Sequence, residues 1–343
     1  MIRVLVAEDS LTTRRLLVEM LRSDPDVEIA GEASDGVEAV EMTKRLRPAV
    51  VTMDIKMPRM DGFEATRRIM LEAPTPIVIV SASVDVREVE VAMHALRAGA
   101  LTVLPKPDGP GAVNFEAQRR RFVDMVKAMS DVKLVRRRPE PRGAQPLPLP
   151  PTVNRAPARL VAVAASTGGP PALARVLAEL PADFALPSLV VQHIASGFVE
   201  GLARWLNTVG ALAVKVAEDG EPLRPRTVYL AADDRHLGVA HPATAVLSDT
   251  APVGGFRPSA TVLFEAAAAV AGASAVALVL TGMGRDGLQG LHAIRRAGGR
   301  ILAQDEATSV VFGMNGAAVT AGLADLTLPL DALAFRLWKL STR

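Results

Sequence analysis

Three carboxylates, a hydroxyl and an amine in the first third of the chain share one kind of position. Glu8 and Asp9 follow the apolar run Ile2–Ala7, Asp54 follows Val50–Met53, Ser81 follows Ile77–Val80, and Lys106 follows Leu101–Leu104. Carboxylates gathered at one point repel each other unless a hard cation neutralises them, and an all-oxygen set suits Mg2+. A lysine and a hydroxyl beside such an ion would bind the oxygens of a phosphoryl group. Asp54 then reads as the phosphoryl acceptor, giving an acyl phosphate. Taken singly, each residue also fits an ordinary polar cap; Asp9 would equally serve a helix running from Ser10.

The remainder of the chain carries a second set. Ser166 directly follows the run Leu160–Ala165 and precedes Thr167-Gly168-Gly169-Pro170-Pro171, after which a helical pattern runs through Leu180. Prolines suit the first turn of a helix and glycines permit a tight approach. The Ser166 hydroxyl would therefore lie at a helix N-terminus, where free N–H groups favour developing negative charge. The phosphate-loop patterns G-x-x-x-x-G-K-[ST] and G-x-G-x-x-G are absent. A serine nucleophile needs a base. His94 and His292 lie in helical patterns and His241 in or near a strand. His193 follows the run Ser188–Gln192, and His236 lies beyond the run Thr227–Ala231. Position favours these last two and does not rank them. Asp286, in Thr281-Gly282-Met283-Gly284-Arg285-Asp286-Gly287 after the run Ala275–Leu280, offers a carboxylate to orient an imidazole. It would also fit as a cap for a helix starting near Gly287. The three glycines imply tight turns that expose N–H groups near a reacting carbonyl.

Such residues converge only if the apolar runs are parallel strands, because open α/β sheets collect functional groups beyond their strands' carboxyl ends. Both halves alternate short apolar runs with helical periods, the pattern of a parallel sheet covered by helices. In the first half the runs are those above together with Val27–Ala30, five strands in a flavodoxin-like α/β domain. The second half adds Val214–Val216 and Ala245–Leu247 and reads as another doubly wound α/β domain.

With 343 residues the chain exceeds what one core usually serves. Residues 139–157 contain seven prolines and divide it. The helix Phe115–Met129 closes the first domain, and strand-like sequence resumes at Leu160. The expected limits are 1–130, a Pro/Arg-rich linker over 131–157, and 158–343. The isoelectric point near 9.1 does not indicate a nucleic-acid surface. Residues 1–110 carry 14 Lys/Arg and 18 Asp/Glu, residues 111–160 carry 11 and 4, and residues 161–343 carry 14 and 15. The basic excess is thus confined to the middle segment, including Arg136-Arg137-Arg138. The absence of cysteine excludes disulfides and thiol catalysis. The N-terminus does not read as a secretory signal, and the longest uncharged apolar stretch, Ala266–Leu280, is shorter than a membrane span. These features point to a cytoplasmic protein without membrane insertion.

The stretches Val4-Leu5-Val6-Ala7-Glu8-Asp9-Ser10, Met53-Asp54-Ile55-Lys56-Met57-Pro58-Arg59-Met60-Asp61-Gly62 and Pro105-Lys106-Pro107 resemble a two-component receiver domain over residues 1 to about 125. The resemblance implies phosphotransfer from a histidine kinase to Asp54. It also implies Mg2+ held by Glu8, Asp9 and Asp54, with Ser81 and Lys106 as switch residues. Glu8 stands where many receivers have Asp, and Val103 where an aromatic switch residue is common.

From about residue 158 to 340, Ala164-Ala165-Ser166-Thr167-Gly168-Gly169-Pro170, Gln192-His193-Ile194, Thr281-Gly282-Met283-Gly284-Arg285-Asp286-Gly287, Ala303-Gln304-Asp305-Glu306 and Ser309-Val310-Val311-Phe312-Gly313-Met314 resemble the catalytic domain of CheB-type chemotaxis methylesterases. This resemblance implies Ser166 as nucleophile, His193 as base, Asp286 as orienting acid and the Met283 N–H in the oxyanion hole, with His236 near the site but outside the triad. It further implies demethylation of glutamyl methyl esters on chemoreceptors, deamidation of glutamine, control by phosphorylation of Asp54, and no metal in the hydrolytic step. Ala195 and Asn315 stand where proline is common. A DNA-binding response regulator would instead need a basic helix-turn-helix after the linker. A scaffold would tolerate loss of a triad position, and a general carboxylesterase would share the chemistry without the receptor.

Overall fold

A computed structural model describes residues 1–81, 86–132 and 156–342, the side chains of 86–90 excepted. Of the expected linker, residues 133–155 lie outside the described residues. The chain forms two compact units, each built on its own parallel sheet.

The first unit alternates strand and helix throughout: β1 (Ile2–Ala7), α1 (Leu11–Arg22), β2 (Val27–Ala33), α2 (Gly36–Leu46), β3 (Val50–Asp54), α3 (Gly62–Glu72), β4 (Ile77–Ser81), α4 (Val86–Ala98), β5 (Thr102–Pro105) and α5 (Phe115–Ser130). The strand order is β2-β1-β3-β4-β5, all parallel, as expected of a flavodoxin-like domain. β3 and β4 are buried along their whole length, which is why they read as unbroken apolar runs. The cap of α1 is Ser10, whose hydroxyl accepts from the Thr13 N–H, so Asp9 is not used as a cap.

The second unit contains β6 (Leu160–Ala165), α6 (Gly169–Glu179), β7 (Ser188–Gln192), α7 (Val199–Leu206), β8 (Ala213–Val216), β9 (Thr227–Leu230), β10 (His236–Ala240), β11 (Thr244–Ser248), α8 (Ala260–Ala271), β12 (Ala275–Val279), α9 (Leu288–Arg296), β13 (Arg300–Gln304), α10 (Met314–Thr320), β14 (Leu326–Leu328) and α11 (Leu330–Ser341). Seven strands form one parallel sheet in the order β14-β13-β12-β6-β7-β9-β8. The chain leaves β6 toward β7 on one side and returns to β12 on the other, so the sheet is doubly wound about β6.

Two features differ from the sequence reading. The run Ala245–Leu247 belongs to an antiparallel pair, β10 with β11, outside the large sheet. The strands β10, β13 and β14 carry no expectation from the sequence. β13 begins at Arg300 and ends at Gln304, and β14 has only three residues, so neither presents a long apolar run. The core between sheet and helices relies on small side chains, Ala260, Ala267, Ala275 and Ala277 beside Phe264. A Cβ at Gly290 would lie 2.6 Å from the Thr261 carbonyl oxygen, so glycine there allows α9 to approach α8 closely.

Candidate functional site

In the first unit β1 and β3 are neighbours, with Ala7 beside Met53. This register brings Glu8, Asp9 and Asp54 together, and a carboxylate oxygen from each lies within 4.8 Å of the others. Lys106 follows β5 and places its Nζ 2.9 Å from Glu8 Oε2 and 3.0 Å from Asp54 Oδ2. Burial pushes the Glu8 carboxyl up to about 7 from 4.5, with the Asp54 charge adding to it and Lys106 opposing. Burial also raises Asp54, against the pull of Lys106. Ser81 is buried at the end of β4, and its carbonyl accepts the Lys106 N–H at 2.9 Å. All five residues singled out in this half thus collect at one sheet edge. Val103 is buried within β5.

In the second unit three adjacent strands deliver the site. Ala165 of β6 is in register with Gln192 of β7, and Ala164 is flanked on its other side by Val279 of β12. Ser166, His193 and the loop from Thr281 therefore start side by side. The Ser166 N–H donates to the Thr281 carbonyl at 3.1 Å, and the His193 N–H donates to the Ala165 carbonyl at 2.9 Å. The Gln192 amide bridges the turn, donating to the Ser166 carbonyl at 2.8 Å and the His193 carbonyl at 2.9 Å. Gly168 caps α6 at φ 73°, a left-handed conformation that side chains resist.

His193 Nε2 lies 3.0 Å from Asp286 Oδ2. Asp286 is surrounded by donors. Its Oδ1 accepts from Ser259 Oγ at 2.7 Å, Thr261 Oγ1 at 3.2 Å, the Thr261 N–H at 3.3 Å and the Gly287 N–H at 2.8 Å, while its Oδ2 also takes the Ala260 N–H at 2.7 Å. Burial alone would raise the Asp286 carboxyl. The bonds from His193, Ser259 and Ala260 outweigh it and hold the group below its ordinary value. Asp286 does not act as the side-chain cap of the helix that follows it; it sits on the N-terminus of α8, where the helix dipole favours a negative charge. An ionised acceptor at Nε2 fixes the proton there and leaves the lone pair on Nδ1. Nδ1 is buried and has no hydrogen-bond partner among the described residues. The ring nitrogens thus exchange the parts they play in the chymotrypsin arrangement. Ser166 Oγ makes no hydrogen bond to the ring here; such bonds often form only with substrate in place.

The Met283 N–H forms no hydrogen bond among the described residues. The chain around it is fixed: the Gly282 N–H donates to the Val311 carbonyl, and the Gly282 carbonyl accepts from Gly313 and Met314. A Cβ at Gly282 would lie 2.7 Å from Ser166 Cβ and 2.7 Å from Met314 Sδ. Gly282→Ala should therefore displace Ser166 by about 1 Å and lower kcat/KM on the order of 10²-fold, with roughly 1–3 kcal/mol lost in stability. Ester-hydrolysis rates and thermal melts of the variant check this; wild-type values for both would mean that the loop does not bear on Ser166.

His236 is buried, accepting the Ser259 N–H on Nδ1 at 3.1 Å and facing the Ala251 carbonyl with Nε2 at 3.2 Å. It is placed behind the Asp286 cradle, with both ring nitrogens engaged. Asn315 is wholly buried and donates to the Gln304 carbonyl and Ser309 Oγ. The sequence reading missed Ser259 and Thr261, and gave Gln192 a place in a motif but no role. A serine before the Ala-rich α8 was a legible capping signal; that this helix end would receive Asp286 was not. It also missed Phe256, whose ring stacks on His193 with centroids 4.4 Å apart and planes 11° from parallel.

Residues 161–337 match the CheB methylesterase family and residues 4–114 the response regulator receiver domain family. A Myxococcus xanthus protein named protein-glutamate methylesterase/protein-glutamine glutaminase 4 is 59% identical over 340 residues, 98% of this chain and 96% of that protein. An Anaeromyxobacter dehalogenans protein named protein-glutamate methylesterase/protein-glutamine glutaminase 3 is 58% identical, covering 98% of each. Among solved structures, the Thermotoga maritima CheB methylesterase catalytic domain covers 54% of this chain and all of its own length, with a TM-score of 0.52 and 36% identity. No helix among the described residues is long and apolar enough to cross a membrane. The chain belongs to the CheB methylesterase family, with a response regulator receiver domain ahead of the catalytic one.

Proposed function

We propose that this chain is a phosphorylation-activated protein-glutamate methylesterase and protein-glutamine glutaminase acting on chemoreceptors, in which 1–130 receives the phosphoryl group, 131–157 links, and 158–343 hydrolyses. The observation that carries this reading is the Asp286–His193 pair at the strand end beside Ser166, its side chains largely shielded and Nδ1 left open. His193 Nδ1 takes the Ser166 hydroxyl proton as Oγ bonds to the ester carbonyl carbon. The oxyanion is met by the Met283 N–H. The C–O bond to methoxide then breaks, His193 returns the proton, and methanol leaves. Water, deprotonated by the same nitrogen, attacks the acyl-enzyme and releases the glutamate side chain and Ser166. A glutamine amide enters the same sequence and leaves as ammonia.

In the receiver, Asp54 attacks the phosphorus of a phosphohistidine on a partner kinase, forming a P–O bond as the P–N bond breaks. Glu8, Asp9 and Asp54 fit Mg2+: the donors are all oxygen, and the cluster confines carboxylates whose charge Lys106 balances only in part. Bound there, the ion would neutralise the carboxylates and the phosphoryl oxygens. Ser81 and Lys106 are the groups that report the acyl phosphate to the rest of the domain. Asp54→Asn should abolish labelling by a small phosphodonor, and EDTA should do the same to the unaltered protein. Labelling that persists in either case, read by intact mass, would count against the acceptor assignment.

The activity is tested by methanol release from methylated receptor membranes. The full chain should release methanol, faster with Mg2+ and a phosphodonor. No release by folded protein would refute the substrate assignment; release indifferent to the donor would refute the control.

A further inference from the structure

The loop between β11 and α8 is built to carry one aromatic ring. Val253 and Phe256 exchange two backbone hydrogen bonds, each 3.1 Å, around Gly254 at φ 60° and Gly255 at φ 85°. Two successive left-handed residues make a tight two-residue reversal that glycine adopts without strain. The next residue anchors it. Arg257 grips Asp234 through Nε and Nη2, both at 2.8 Å, and donates from Nη1 to the Asp249 and Thr250 carbonyls. Ser259, two residues on, caps α8 and donates to Asp286. A loop tied at both ends thus holds Phe256 flat against the His193 imidazole.

That ring has little freedom left. Nε2 is committed to Asp286, one face is covered by Phe256, and the side chain is only 10% exposed. A half-turn about the bond to the ring would break the Asp286 contact and put the Cδ2–H where Nδ1 stands, leaving no basic nitrogen at that position. The stack also changes with the reaction. When His193 holds the Ser166 proton it is a cation, and the negative face of an aromatic ring attracts a cation more than a neutral imidazole. A contact stronger in the transition state than in the ground state acts on kcat.

We propose that Phe256 is a positioning residue for the hydrolytic step, stacking on His193 to fix the orientation of the base and to favour its protonated form during acylation. This rests on the reading of His193 as the base. Phe256→Leu keeps an apolar side chain but removes the π face; Phe256→Tyr keeps it. In the full chain, Phe256→Leu should lower kcat on methylated receptor roughly five- to tenfold with KM unchanged, and Phe256→Tyr should restore it. The His193 ring protons, assigned by their loss in His193→Gln, should move downfield in Phe256→Leu as ring-current shielding is lost, and stay in place in Phe256→Tyr. Wild-type kcat in Phe256→Leu, or unmoved His193 resonances, would overturn the proposal. So would a change confined to KM, which would place Phe256 on the substrate and not on the base. Unaltered protein that turns over no ester overturns the activity and this inference together; normal turnover with an unaffected Phe256→Leu overturns this inference alone.

Discussion

Ser166→Ala is expected to lower ester hydrolysis by a factor on the order of 10⁵ to 10⁶ while leaving the fold in place. The size follows from the role: without the hydroxyl no acyl-enzyme forms, and the remaining groups bind substrate without a nucleophile. The unchanged stability follows from the surroundings. Ser166 Oγ makes no hydrogen bond among the described residues, so its removal orphans no buried partner. The bonds that hold the turn run through the backbone, from the Ser166 N–H to Thr281 and from Gly169 and Gln192 to the Ser166 carbonyl. Alanine keeps all of them. Turnover assays with a thermal melt check both halves. A folded variant that hydrolyses at the normal rate would remove Ser166 from the mechanism, and a variant that fails to fold would show that the hydroxyl has a structural part.

Asp286→Asn should cost on the order of 10⁴ in kcat, through the base and not through the nucleophile. Every group around the carboxylate is a donor: the hydroxyls of Ser259 and Thr261, the N–H groups of Ala260, Thr261 and Gly287, and His193 Nε2. An asparagine must turn its own NH2 toward some of them. If NH2 replaces Oδ2 it meets Nε2, which then accepts, and the ring proton is driven to Nδ1, the nitrogen proposed to take the Ser166 proton, while the Ala260 N–H loses its acceptor. If it replaces Oδ1, Ser259 Oγ and the N–H groups of Thr261 and Gly287 lose their acceptor, at about 1–3 kcal/mol. The pH dependence carries a sign. The folded carboxyl lies below its ordinary value of 3.8, so its stabilisation is complete above that pH and is lost as pH falls through the folded pKa. In the window from about pH 3.8 downward through the folded pKa the unaltered protein should therefore lose more stability than Asp286→Asn. Equal slopes in melts across that window, or near-normal turnover by the variant, would contradict this account of Asp286.

How far the site was legible depended on the distance over which each residue acts. Ser166 and Asp54 sit at the ends of fully buried parallel strands, and such strands announce themselves as apolar runs. Their ends are then fixed points of the sheet, which is why Glu8, Ser81 and Lys106 could be placed with them. His193 and His236 both follow strand-like runs, and spacing could not separate them. The structure does so through their partners, since His193 keeps one nitrogen open while His236 spends both on Ser259 and Ala251. Asp286 was legible as a carboxylate after β12, but its cradle was not, because Ser259 and Thr261 lie 27 and 25 residues earlier and reach it only once α8 packs against α9. Phe256 left a faint signal, an aromatic directly after two glycines in a chain with only nine phenylalanines; its target, His193 just past the end of β7, belongs to tertiary packing. β13 and β14 escaped because β13 opens on arginine and ends on glutamine and β14 has only three residues, so neither offers a run to read.

Hydrolysis by this site requires that a glutamyl group pass through a bond to Ser166. Full-length protein mixed with a peptide glutamyl methyl ester, quenched in acid within a turnover and mapped by mass, tests it most directly. The expected result is an adduct on the Ser166 peptide equal to the substrate minus methanol, absent from Ser166→Ala and cleared as free glutamyl peptide appears. An adduct on any other residue, or methanol released by Ser166→Ala at the unaltered rate, would contradict it.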